Sequence, residues 1–256
     1  SRILAAAPPS HLTREIAKKI RPEITAEHIL LILSKGIEQH SLALMSEIFA
    51  EELDNLPKLA VLSGPTFARE VALDLPSAAV LACADETAGS LLQKCFHSDH
   101  FRIYRSTDLV GVQLGGSIKN VIAIASGIAD GMQLGLNARA ALICRGVAEM
   151  SRLGTAMGGS AETFMGMSGI GDLVLTATGN LSRNHNLGEK LGQGFSLEDC
   201  DEIIGDQIAR IVSWNGNSNV GSLAEKPVRL RFVMKDADLY SIRFRPEQEA
   251  AKYSTQ

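Results

Sequence analysis

The first hundred residues alternate short apolar runs with amphipathic stretches, and that alternation constrains the fold more than any other feature of the chain. Residues 2–7 form an apolar run that Pro8-Pro9-Ser10 ends, offering an N-cap for a helix reaching Ile20. Residues 28–34 read as a second buried strand, stopped by Lys35-Gly36. Residues 41–53 carry helical periodicity, with Leu42, Leu44, Met45, Ile48, Phe49 and Leu53 on one side. A third strand is predicted over residues 59–63, closed by Gly64-Pro65. Residues 67–73 then read as helix, 78–83 as strand, 86–96 as helix and 101–105 as a last strand. Strands this short and apolar, separated by helices, predict an α/β layer with a largely parallel sheet.

After about Thr107 the character changes. Residues 110–131, 138–153 and 173–176 onward read as helices with glycine-rich joints and no strand pattern. An α/β half followed by an all-helical half predicts two domains with a ligand cleft between them. From about Asp201 the pattern dissolves: residues 214–219 are turn-rich and polar, and residues 228–233 alternate like a surface strand.

The segment Gly115-Gly116-Ser117-Ile118-Lys119-Asn120-Val121-Ile122-Ala123-Ile124 places a lysine inside what reads as a fully buried helix, since Val110, Val112, Leu114, Ile118, Val121, Ile122, Ile124 and Ile128 leave no polar stripe. The helical neighbours of Lys119 at three and four positions are Gly116, Gly115, Ile122 and Ala123. Three of these are tiny, so another group can approach the lysine closely. A desolvated ammonium has its pKa drawn toward neutrality, as acid/base work by lysine requires. The alternative is a lysine that snorkels its head out to water.

Other motifs carry weaker signals. A Gly-x-Gly-x-x-Gly dinucleotide fingerprint between strand and helix is absent from the chain. The nearest string, Gly166-Met167-Ser168-Gly169-Ile170-Gly171, has different spacing and reads as a turn leading to Asp172 at a helix N-cap. Ser182-Arg183-Asn184 could hold a phosphate, because a guanidinium donates two parallel hydrogen bonds; a solvated loop is the competing reading. Lys35 and Ser63-Gly64-Pro65-Thr66 stand at the carboxyl ends of predicted strands, where ligands of open α/β sheets bind.

Composition removes several classes. A net charge of −4 argues against nucleic acid or an anionic membrane as partner. Cys83, Cys95, Cys144 and Cys200 are too scattered for a zinc site, a Cys-x-x-Cys redox pair or a disulfide framework, and read as free thiols in a reducing cytoplasm. His11, His28, His40, His97, His100 and His185 lack metal-ligand spacing and read as surface or capping residues. The longest apolar runs, such as residues 29–33 and 77–84, are too short to span a bilayer.

Taken in order, Leu33-Ser34-Lys35-Gly36, Leu62-Ser63-Gly64-Pro65-Thr66-Phe67-Ala68, Phe101-Arg102-Ile103-Tyr104, Gly115-Gly116-Ser117-Ile118-Lys119-Asn120-Val121, Gly169-Ile170-Gly171-Asp172-Leu173 and Leu181-Ser182-Arg183-Asn184 closely resemble the bacterial NAD(P)-dependent glycerol-3-phosphate dehydrogenases. The resemblance covers residues 1 to about 200. It implies an oxidoreductase that interconverts sn-glycerol 3-phosphate and dihydroxyacetone phosphate and so supplies phospholipid synthesis. It implies Lys119 as the proton acceptor and donor. Lys35, Gly64, Thr66 and Asp172 would be substrate-site residues, and Ser182, Arg183 and Asn184 would bind the substrate phosphate. Lys35, Ala68 and Arg183 would approach the NAD or NADP cofactor. The implied enzyme is cytoplasmic, has no membrane span, and is compatible with a homodimer.

The resemblance also sets the expected organisation. Residues 1–108 would be the C-terminal part of a Rossmann-like dinucleotide-binding domain. Residues 109–205 would be a helical substrate-binding domain, and residues 206–256 a divergent tail. The family's first strand and glycine loop are expected ahead of Ser1, and its pattern is lost near Gly205, where Asp206-Gln207-Ile208-Ala209-Arg210 does not match. A second reading, from a different class, is a non-catalytic remnant that serves only as a binding or dimerisation module.

Overall fold

The computed structural model describes residues 2–54, 56–194, 200 and 212–224. Five strands, β1 (Ile3–Ala6), β2 (Ile29–Ile32), β3 (Lys58–Ser63), β4 (Ser77–Cys83) and β5 (Phe101–Ser106), form one sheet in the order β1-β2-β3-β4-β5. Three of the four pairings are parallel, but β3 and β4 run antiparallel, with Ala60 opposite Cys83 and Ser63 opposite Val80. The sheet is therefore largely parallel, as the strand–helix alternation predicts, with one antiparallel step. The connection between β3 and β4 carries only the five-residue α3 (Ala68–Ala72).

Strand β2 is buried at all four positions because both faces of the sheet are covered. On one face Ala6, Leu30, Ile32, Val61 and Ala82 meet α1 (Thr13–Ile20) and α2 (Met45–Glu52) through Ala17, Met45, Ile48 and Phe49. On the other, Ile29, Leu31, Ala60, Ala79, Leu81 and Ile103 meet Ala88 and Leu92 of α4 (Glu86–Phe96). Helix α2 begins at Met45, later than its periodicity predicts. His40 and Leu42 adopt left-handed backbone before it, and the Glu47 carboxylate accepts from the Leu44 N–H at the helix start. Ser10 begins a short 3₁₀ turn ahead of α1 and makes no side-chain cap.

The second half is helical: α5 (Leu109–Gly131), α6 (Gly135–Ala156), α7 (Ala161–Phe164), a π-turn over Met167–Gly171, α8 (Asp172–Thr178) and α9 (Arg183–Gly192). Leu114, Ile122, Val147, Met150, Phe164, Leu173 and Ala177 form its core. Helix α5 is shared: its Val112 belongs to the cluster under the sheet, and its Leu114 and Ile122 to the helical core. Gln113 locks the junction, accepting from the Ser46 N–H (2.9 Å) and donating to Ser46 Oγ (2.8 Å). Helix α5 is not buried all round as its sequence predicts, since Val121 stands 69% exposed. By length and composition α5 could cross a bilayer, contrary to the expectation that every apolar run is too short; half of its apolar window is buried against the rest of the chain.

By internal contacts the chain divides into residues Ser1–Gln193 and Gly194–Gln256. In the second unit, Trp214 and Asn217 exchange backbone hydrogen bonds across a turn, and Gly221–Leu223 form a 3₁₀ turn. The expected surface strand at residues 228–233 and most of the expected tail lie outside the described residues.

Candidate active site

The carboxyl ends of β2 and β3, the middle of α5 and the start of α8 bring three charged side chains together. Lys119 is 7% exposed and Asp172 is 1% exposed. The Lys119 ammonium donates to Asp172 Oδ1 and to Thr176 Oγ1 (2.9 Å). Lys35 donates to the other carboxylate oxygen, Asp172 Oδ2 (2.6 Å), and reaches the Gly64 carbonyl at 3.5 Å. Asp172 thus bridges two lysines. It is not the N-cap expected from the sequence. Gly171 precedes the helix, and Asp172 is the first residue of α8, with its side chain turned inward.

Glycine makes this convergence possible. A Cβ on Gly116 would lie 2.6 Å from Ser63 Oγ and 3.4 Å from Lys35 Cδ, while one on Gly115 would lie 2.2 Å from the Ser168 carbonyl. The stem of Lys35 and the π-turn therefore lie directly against the backbone of α5, one turn before Lys119. Ser117 Oγ accepts from the Gly36 N–H (2.9 Å) and donates to the Gln113 carbonyl (2.8 Å), so α5 also holds the loop that presents Lys35. Gly64 has φ +156°, and a Cβ there would meet Ala79 Cα at 2.9 Å. Among the described residues, the buried hydroxyls of Ser63 and Ser168 make no hydrogen bond.

Burial is the largest influence on Lys119. It draws the ammonium down to about 8, the positive charge of Lys35 adds to the effect, and Asp172 opposes both. The snorkelling alternative fails, because the ammonium points inward to Asp172 and Thr176. A lysine of this kind exchanges a proton near neutral pH without leaving its site.

Ser182, Arg183 and Asn184 do not form a loop. Ser182 is the N-cap of α9, its hydroxyl accepting from the His185 N–H (3.2 Å), and Arg183 begins the helix. Asn184 donates to Asn120 Oδ1 (2.8 Å), which places the start of α9 beside the residue following Lys119. Arg183 is exposed. Thr66 Oγ1 donates to the Gly64 carbonyl (3.3 Å), and Ala68 stands exposed at the start of α3. Sequence reasoning missed Thr176 and Asn120. Thr176 lies one turn after Asp172, a spacing that could have flagged it once Asp172 was chosen; Asn120 carried no signal beyond its adjacency to Lys119.

His185 is also not the surface residue expected. It is 6% exposed, with Nε2 2.8 Å from Asp130 Oδ2. Cys83, Cys95 and Cys144 are free thiols, and no group of three or more His, Cys, Asp or Glu suited to a metal ion occurs among the described residues.

The cluster of Lys35, Lys119 and Asp172 is set at the strand ends of an α/β sheet and packed against the helical half. Two family models match the chain: the NAD-dependent glycerol-3-phosphate dehydrogenase N-terminus over residues 1–89 and the C-terminus of the same enzyme over residues 108–226. The second match runs past Gly205. The chain is 52% identical over 193 residues to glycerol-3-phosphate dehydrogenase [NAD(P)+] of Syntrophotalea carbinolica, covering 75% of this chain and 58% of that one. It is 53% identical over 198 residues to the enzyme of the same name from Oleidesulfovibrio alaskensis, covering 77% and 60%. The crystal structure of glycerol-3-phosphate dehydrogenase from Coxiella burnetii superposes with TM-score 0.73 at 44% identity, over 75% of this chain and 59% of that chain. The chain belongs to the NAD-dependent glycerol-3-phosphate dehydrogenase family. It spans about three fifths of the length of the relatives it matches.

Proposed function

We propose that this chain carries the proton-transfer and phosphate-binding part of an NAD(P)-dependent glycerol-3-phosphate dehydrogenase, an oxidoreductase of the cytoplasm that interconverts sn-glycerol 3-phosphate and dihydroxyacetone phosphate. The observation that carries the reading is the buried Lys119, drawn down to about 8 and held between Asp172 and Thr176. In the oxidising direction Lys119 accepts the substrate hydroxyl proton, and in the reducing direction it returns it. Asp172 holds Lys119 and Lys35 in register. Gly64 and Thr66 line the substrate at the sheet edge. Ser182, Arg183 and Asn184 at the start of α9 bind the phosphate, since a helix N-terminus and a guanidinium both favour a dianion.

The donor set also fits one end of a nicotinamide cofactor. Lys35 keeps 29% of its side chain exposed just past β2, Arg183 is exposed at the start of α9 and Ala68 is exposed at the start of α3. When bound, the nicotinamide supplies the hydride acceptor or donor. Residues 1–108 serve the cofactor side and residues 109–205 the substrate side.

The test is oxidation of NADPH by the purified chain with dihydroxyacetone phosphate, followed by loss of reduced-cofactor absorbance. Turnover that disappears in Lys119→Ala supports the reading. Turnover within a few-fold of the parent in that variant removes the acid/base role. An Arg183→Ala chain should raise KM for the phosphorylated substrate more than it lowers kcat. A folded chain that binds glycerol 3-phosphate without turnover supports the reading of a binding module instead.

A further inference from the structure

Helices α5 and α9 touch backbone to backbone. A Cβ on Gly188 would lie 2.0 Å from the Ile124 carbonyl, one on Gly192 2.3 Å from the Ile128 carbonyl, one on Gly127 2.0 Å from the His185 carbonyl and one on Gly131 2.2 Å from the Glu189 carbonyl. The helices run parallel, with Asn184 beside Asn120, Gly188 beside Ile124 and Gly192 beside Ile128. The notches recur every fourth residue on both helices: Gly127 and Gly131 on one, Gly188 and Gly192 on the other. A slide of one turn, about 5.4 Å, would keep one glycine notch of each helix filled but bring Asn184 to the Ile124 carbonyl or Ala123 to the His185 carbonyl. Small-residue packing therefore already favours the observed register.

A buried polar contact reinforces that register. His185 Nε2 lies 2.8 Å from Asp130 Oδ2, and Arg139 of α6 donates to the same oxygen at 2.7 Å. His185 Nδ1 is buried without a hydrogen-bond partner, so the ring proton is assigned to Nε2, which donates to Asp130. A slide would leave His185 buried without its acceptor and leave Asp130 to Arg139 alone, and a buried polar residue that bonds in one alignment only is an established means of fixing helix register. His185 follows directly on Ser182, Arg183 and Asn184, and the His185 N–H bonds the Ser182 hydroxyl.

We propose that His185, locked through Asp130 to α5 and α6, is a positioning residue that sets the register of α9 and so places the Ser182–Arg183–Asn184 turn beside Lys119. Its consequence for ligand binding rests on the phosphate role given to that turn above.

The full chain should be compared with His185→Leu, His185→Gln, Asp130→Asn and Arg183→Ala by amide hydrogen exchange and by calorimetry with glycerol 3-phosphate. His185→Leu should speed exchange of the His185-position and Asn186 amides, both bonded to Ser182, and weaken glycerol 3-phosphate about tenfold. Glutamine, whose side-chain N–H₂ reaches about as far as Nε2, should restore both to within about threefold of the parent. A leucine variant that keeps parental exchange and affinity overturns the proposal, as does a glutamine variant that behaves like leucine. If the leucine variant does not fold, Asp130→Asn decides. It keeps an acceptor for His185 and loses the charge that faces Arg139, so parental exchange supports the histidine lock and fast exchange overturns it. Parental affinity in Arg183→Ala removes the phosphate assignment alone, and the register claim is then judged by exchange.

Discussion

The role proposed for Lys119 sets two conflicting requirements: it must be held rigidly by a carboxylate and still give up its proton near neutrality. Asp172 alone would raise its pKa. Burial and the second cation, Lys35, outweigh that and bring it to about 8. Two outcomes follow. With ¹³Cε-labelled lysine, NMR titration should show Lys119 near 8, and Lys35→Met should move it upward because a repelling charge is gone; a downward move would contradict the assignment. The folded value lies below the ordinary 10.5, so between about pH 8 and 10.5 the unfolded chain binds more protons, and the stability contributed by this lysine rises with pH across that window. Truncation of Asp172 to alanine leaves two apposed cations, one of them buried. Urea unfolding should register a loss of about 3–5 kcal/mol, the usual result of removing one partner from a buried pair.

At the scale of elements, the site depends on how closely helices approach each other. Gly188 admits the Ile124 carbonyl at a distance no side chain tolerates. In Gly188→Ala the added methyl must push α9 off α5. Although alanine returns about 1 kcal/mol of helix propensity, the net change should be a destabilisation of about 1–3 kcal/mol, read as a lower urea midpoint. The strand–helix alternation, α4 at Glu86–Phe96 and the long α5 were legible in the sequence because each carries its own period of apolar residues. The antiparallel step between β3 and β4 was not, because a strand's own pattern of apolar residues is the same in either direction. The late start of α2 was hidden for a similar reason: residues 41–44 have helical spacing but sit in a turn with left-handed backbone at His40 and Leu42.

In the molecule as a whole, α5 is the shared beam between the sheet and the helical core, which is why its midpoint carries Lys119 into a region closed from both sides. Away from the site, Arg14 on α1 gathers Glu38, Glu51 and Glu52 and so ties the first two helices and the intervening loop together. The Arg14 guanidinium, followed by the Ser41 hydroxyl, holds the Glu38 carboxyl down to about 2 from its ordinary 4.5. Because the folded value is the lower one, this contribution is complete above about pH 4.5 and is lost as pH falls toward 2. Stability measured by denaturant midpoint should decline across that window, and the decline should be shallower in Arg14→Met.

The sequence by itself determined most of the segments that become strand or helix and singled out Lys119 by its buried period and Lys35 by its strand-end position, since these are readable without coordinates; the resemblance to a known family marked Asp172 and the Ser182–Arg183–Asn184 string. Only the tertiary structure decided that Asp172, 137 positions from Lys35, bridges the two lysines, that Thr176 and Asn120 join them, and that His185 turns inward to Asp130. These are contacts between distant segments, and they depend on backbone approach at Gly115, Gly116 and Gly188 that a one-dimensional pattern does not encode.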